Sequence, residues 1–123
     1  MMLRADLHVH TLHSTRSGNM RFLGARDCYS RPLDVYHRAK SRGMDLVAIT
    51  DHDSIDGALE LAATADDPSE VIVGEEVSCC YKGIEVHLGV YGMTEALHRD
   101  VQPLRHNAFE VIACLRSAGA FFR

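Results

Sequence analysis

The stretch DLHVHTLHS, residues 6–14, carries three of the chain's eight histidines within six positions. Imidazoles so close together could ligate a metal, act as a catalytic pair, or do nothing in a polar loop. His8 and His10 alternate with the apolar Leu7 and Val9, and a strand has a period of two. On a strand over 4–10, Asp6, His8 and His10 therefore project from one side and Ala5, Leu7 and Val9 from the other. Further along, AITDHD brings Asp51 and His52, GEEVS brings Glu75 and Glu76, and EVHLGVYG brings His87. Imidazole and carboxylate together suit borderline or harder divalent ions such as zinc, manganese or ferrous iron.

These residues need elements that bring them to one place. After the first strand comes a polar loop over 11–31, then a helix that begins near Ser30 and Pro32, buries Val35, Tyr36 and Ala39, and stops at Gly43. MDLVAIT (44–50) reads as a buried strand ending in DHD. Ser54 caps a second helix with Ile55, Ala58, Leu59 and Ala62 inward, closed by Asp66, Asp67 and Pro68. A third strand covers 70–74 and continues as extended chain with a turn at 81–83. A last helix spans roughly 104–117, with Phe109, Ile112 and Leu115 inward, and AFFR opens another strand. Such alternation predicts a parallel α/β sheet, open or closed into a barrel, with functional groups at the carboxyl ends of its strands. His8, His10, Asp51, His52, Glu75 and Glu76 all fall at such ends, and His87 lies in the next extended segment.

Composition limits the alternatives. The chain of 123 residues is one domain's worth, with ordinary apolar and charged fractions. A net charge of -4 argues against a broad nucleic-acid face, although a nucleotide fits as substrate. No apolar run is long enough to cross a bilayer, and MMLRAD lacks the apolar stretch of a secretory signal. The four cysteines, Cys28, Cys79, Cys80 and Cys114, show neither a CxxC motif nor disulfide-framework spacing. A cytoplasmic protein with reduced thiols and no membrane partner is expected.

In order and spacing, DLHVHT, AITDHD, GEEVS and EVHLGVYG resemble the first motifs of the PHP (polymerase and histidinol phosphatase) family, over about residues 3–123. That resemblance implies a parallel-strand (β/α)7 barrel, of which this chain is the amino-terminal half. It also implies two or three divalent ions at the barrel mouth and hydrolysis of phosphate esters. His8 and His10 match the family's first metal-binding pair, and His52 matches the histidine of its TDH motif, with Asp51 beside it. Glu76 matches the carboxylate that bridges two metals, Glu75 falls at a variable position, and His87 matches the histidine of the later strand. The implied metal ligands are thus His8, His10, His52, Glu76 and His87, with Glu76, His52 and Asp51 at the catalytic centre. Many relatives carry a further Asp or His after the HxHT motif, where this chain has Thr15 and Arg16. The family's later histidine and DxH motifs are absent before Arg123.

Divalent ions at such a cluster activate water and balance the charge that builds on phosphoryl oxygens, so no nucleophilic Ser or Cys is needed. Arg16 and Arg21, in the loop after the first strand, could bind a small phosphorylated substrate in two-pronged fashion; a solvated loop is the plain alternative. His13 is expected near solvent, and His37, His98 and His106 on solvated helical stretches. Two other functions compete: an amidohydrolase-type metallohydrolase, which also opens with HxH, and a non-catalytic metal-binding module. A half-barrel would hold fewer ions, have weak or no activity, and leave a sheet edge open to a second copy.

Overall fold

The computed structural model describes residues 1–15 and 28–123. Among these described residues five strands and four α-helices follow one another as β1 (Ala5–Val9), α1 (Pro32–Ser41), β2 (Leu46–Ile49), α2 (Asp56–Thr64), β3 (Val71–Tyr81), β4 (Ile84–Tyr91), α3 (Glu95–Val101), α4 (Ala108–Ser117) and β5 (Phe121–Phe122). The strands form one sheet in the order β1-β2-β3-β4-β5. β1, β2 and β3 are parallel, whereas β3 with β4 and β4 with β5 are antiparallel.

The sheet is therefore mixed, not all-parallel as expected. The reason is the tight link after β3. Tyr81 pairs with Ile84, leaving a two-residue loop in which Lys82 and Gly83 have φ of 49° and 78°. Two consecutive positive φ values match the hairpin turn whose twist suits antiparallel strands, and so short a loop cannot return a strand parallel. The turn position is plain in the sequence, but its consequence for direction is not drawn there.

Helices cover one face of the sheet. Tyr36 and Ala39 of α1, Val47 and Ile49 of β2, and Ala58 and Leu61 of α2 form one cluster. Val77 and Cys79 of β3, Val90 of β4, Leu97 and Val101 of α3, and Val111 and Leu115 of α4 form a second. Val73 packs against both. Alternation along β3 then sends Glu76 and Ser78 to the opposite face. That face is concave. The Tyr91 hydroxyl donates to the Leu7 carbonyl at 2.9 Å, although β2 and β3 lie between their strands. On a flat sheet those strands would be about 14 Å apart, farther than a tyrosine reaches.

Two further departures concern α4 and α3. Asn107 accepts the Phe109 N–H at 3.0 Å and starts α4 there, after a 3-10 turn over Gln102–Leu104. Its buried stripe, packed in the second cluster, is Ala108, Val111 and Leu115, while Phe109 is 64% exposed and Ile112 only half-buried. Thr94 accepts the Leu97 N–H at 3.1 Å and starts α3, a helix not separately expected. Ser54 does accept the Asp56 N–H, at 3.2 Å, where α2 begins. Among the described residues no helix is long and apolar enough to cross a membrane.

One polar contact ties α1 to the chain entering β3. Glu70 accepts from Lys40 Nζ at 2.7 Å and from the Tyr36 hydroxyl at 2.6 Å. Lys40 first, then Tyr36, hold its carboxyl below the usual range. A depressed folded value means the contribution is present above the unfolded carboxylate range and is lost as pH falls through the folded value. Glu70→Gln should therefore lower the melting temperature at pH 7, and the gap to wild type should close on acidification from about pH 5 downward. A gap that stayed constant to pH 3 would show that the carboxylate charge contributes nothing.

Candidate metal centre

On the concave face the ends of β1 and β2 meet the middle of β3. Glu76 is the sixth of that strand's eleven residues, not the strand-end residue expected, because the strand runs on past Gly74 into the hairpin. β1 presents His8 and carries the chain into His10. β2 ends at Ile49, and the ladder with β3 continues past it: Glu76 N–H donates to Asp51 O at 2.9 Å and Asp53 N–H to Glu76 O at 3.0 Å. His52 and Glu76 thereby lie side by side as a parallel bridge. Asp53 turns the chain away with φ of 53°, and its carboxylate takes the Ser78 N–H and Arg105 Nη2, both at 2.7 Å. From β4 comes His87, paired in register with Ser78 and so on the face of Glu76.

Glu76 is the hub. Its Oε2 lies 3.4 Å from His8 Nε2, 3.2 Å from His10 Nε2 and 3.5 Å from His52 Nε2. Its Oε1 lies 3.2 Å from His87 Nδ1. The His10 and His52 rings stack at 4.8 Å and 13°, while His8 and His87 meet that pair edge-on. Two groups of potential ligand atoms result, His8–His10–Glu76 and His52–Glu76–His87, each within 4.8 Å and sharing the carboxylate. The structure thus gathers all five ligand candidates named from the sequence.

The donor set fits a divalent cation. Glu76 is buried, yet its Oε2 has no hydrogen-bond partner. A buried carboxylate oxygen in that state is costly unless a positive charge meets it. Burial foremost, then the neighbouring His52, keeps His10 below the ordinary histidine range despite the opposing pull of Glu76. At neutral pH its ring is therefore the neutral form that ligates.

Asp51 sits apart from both groups. It is fully buried, and its two oxygens accept the Thr11 N–H at 2.5 Å and the Thr11 hydroxyl at 2.6 Å. Burial raises its pKa against those hydrogen bonds. Its nearer oxygen is 4.0 Å from His10 Nδ1, so it supports the turn after β1 from behind. Ser14, not singled out in the sequence, shares a hydrogen bond of 3.3 Å with His10 Nδ1 and accepts the His52 N–H at 2.9 Å. Its place four residues after His10, inside the same motif, is the signal that could have marked it.

Glu75 points the other way from its neighbour. It is fully buried against α3, where His98 Nδ1 is 2.9 Å from Oε2 and Gln102 Nε2 is 3.2 Å from Oε1. Burial raises its pKa, and His98 works against that. His98 is thus a partner of a buried carboxylate, not the solvated residue expected. His13, His37 and His106 pair with Glu60, Asp66 and Glu110 at 2.9, 3.2 and 2.7 Å in exposed or half-exposed positions. Arg16 and Arg21, expected to bind substrate, lie outside the described residues.

Gly57, in the first turn of α2, shows how tightly this support is built. A Cβ there would lie 2.5 Å from both Asp51 Oδ2 and Thr11 Oγ1, which are already bonded to each other. Helix propensity alone favours Ala over Gly by about 0.5–1 kcal/mol. We expect Gly57→Ala instead to destabilise by about 1–3 kcal/mol in urea unfolding, because Asp51 and Thr11 must part. A variant stabilised by its propensity gain would show that the close approach is not needed.

No protein-family model matches the chain. It is 36% identical over 76 residues to an uncharacterized protein of Methanocaldococcus jannaschii, a match covering 61% of this chain and 44% of that one. It is 30% identical over 89 residues to a 5′-3′ exoribonuclease of Haemophilus influenzae, covering 72% of this chain and 28% of the relative. The chain thus spans less than half the length of these curated relatives. Among solved structures, an amidohydrolase from Chromobacterium violaceum, with bound sulfate and no metal, superposes with a TM-score of 0.60 at 29% identity. That match covers 79% of this chain and 31% of the other. A proposed metal-dependent phosphoesterase from Bifidobacterium adolescentis superposes with a TM-score of 0.57 at 19% identity, covering 82% and 34%. The resemblance drawn from the HxH, TDHD and GEEVS motifs thus meets its counterpart in three dimensions: the chain shares the fold of part of an amidohydrolase and of part of a proposed metal-dependent phosphoesterase.

Proposed function

We propose that this chain carries the metal centre of a PHP-type phosphoesterase that hydrolyses a small phosphorylated metabolite or a nucleotide. The observation that carries the proposal is Glu76, one buried carboxylate shared by two histidine groups and left with an unpartnered oxygen. His8, His10 and Glu76 would hold one divalent ion, and His52, Glu76 and His87 a second. Zinc, manganese and ferrous iron all suit imidazole and carboxylate donors. Such ions supply a water nucleophile at neutral pH and positive charge for the phosphoryl oxygens.

The chain's own residues do the rest. Glu76 keeps the two histidine groups together, Ser14 bonds both the His10 ring and the His52 main chain, and Asp51 secures the turn between them through Thr11. His8 is the most exposed member, with half of its side chain open, so substrate would approach from the β1 side. The concave curl of the sheet supports a half-barrel reading, as does the small share of its neighbours that the chain spans. Arg16 and Arg21 remain candidates for the substrate phosphate.

The amidohydrolase neighbour supports a second reading, in which the same centre cleaves a C–N bond. A substrate panel separates the two. Chelator-treated protein, reloaded in turn with manganese, zinc and ferrous iron, should hydrolyse phosphomonoesters, nucleotides or oligoribonucleotides at the low rate expected of a half-barrel and leave amides intact. Glu76→Gln should lose metal from both groups and abolish turnover while the fold survives, because the side chain contributes no apolar packing. Full metal content and near-normal turnover in that variant would contradict the proposal, and cleavage of amides alone would favour the second reading.

A further inference from the structure

His87 differs from the other three histidines around Glu76. His8, His10 and His52 turn their Nε2 atoms to the carboxylate, whereas His87 turns its Nδ1. The cause lies two residues earlier on β4. Glu85 and His87 share one face of the strand, and Glu85 Oε1 lies 2.7 Å from His87 Nε2. We propose that Glu85 is a positioning residue that fixes the tautomer of His87 and so selects Nδ1 as its ligating atom. This rests on the metal reading above.

An ionised carboxylate can only accept, so the proton in a 2.7 Å contact must sit on His87 Nε2. In a neutral ring the lone pair is then left on Nδ1, the atom 3.2 Å from Glu76 Oε1. Without Glu85 the ring could carry its proton on either nitrogen or turn over, and the group formed by His52, Glu76 and His87 would lose a defined member. Glu85 is half-exposed, so it can stay ionised at little desolvation cost. Outer carboxylates of this kind change metal affinity by about 10–100-fold when removed. The His8–His10–Glu76 group contains no atom of this pair and should not respond.

Two readouts on the intact chain test the inference. Long-range proton–nitrogen NMR of ¹⁵N-histidine protein, free of metal and at alkaline pH, should show His87 protonated on Nε2. Glu85→Ala should lose that preference, and Glu85→Gln, which keeps an acceptor oxygen, should largely restore it. Manganese titration followed by electron paramagnetic resonance should show one of the two ions bound about 10–100-fold less tightly by Glu85→Ala, with the other ion and the apoprotein's melting temperature unchanged. An Nδ1-protonated ring in wild type, a tautomer indifferent to Glu85→Ala, or unchanged affinity for both ions would each overturn the inference. If the tautomer follows Glu85 but wild type takes up no manganese, the hold of Glu85 on the ring stands and the metal reading falls.

Discussion

Everything at the concave face depends on one constraint: a carboxylate, Glu76, buried among four imidazoles with an oxygen that nothing in the chain satisfies. A buried carboxylate oxygen without a hydrogen-bond donor is costly unless a positive charge meets it. Two of the facing nitrogens, His8 Nε2 and His10 Nε2, also lie only 3.2 Å from each other. A cation among these atoms would satisfy the carboxylate and draw both nitrogen lone pairs to one point. Two apolar clusters on the helix-covered face secure β2, β3 and β4 behind the site.

Consecutive acids show how a strand divides its labour. Glu76 and Glu75 are neighbours of one chemical type, but the pleat sends them to opposite faces. On the concave face the carboxylate meets imidazoles from the ends of β1 and β2 and from the middle of β4. On the covered face it meets His98 and Gln102 of the segment that follows β4, and the pair fastens α3 beneath the sheet. The same residue type thus faces the imidazole cluster on one side and serves assembly on the other, and the antiparallel turn at Lys82–Gly83 makes both possible. It returns the chain beside β3 with His87 opposite Ser78, then delivers α3 to Glu75.

Much of this was legible in the sequence. The HxH spacing puts His8 and His10 on one face, the strand end locates His52, and the motif order supplies Glu76 and His87, although Glu76 lies within β3 and not at its end. What could not be read depended on tertiary partners. The parallel sheet was expected because strand–helix alternation says nothing about a hairpin inserted between β3 and α3. Phe109, Ile112 and Leu115 fit a helical period as well as Ala108, Val111 and Leu115 do, and only packing of α4 against the second apolar cluster decides between them. His98 looked solvated because its partner is 23 residues away in sequence and hidden in a strand. Ser14, Glu85 and Gly57 act through hydrogen bonds and close approach, which no composition or periodicity reveals.

The most direct measurement is an anomalous-difference map from crystals of this chain grown with manganese. The account predicts two peaks flanking Glu76, one within ligand distance of His8 and His10, the other of His52 and His87. A well-ordered site with no peak against Glu76 at saturating manganese would contradict it.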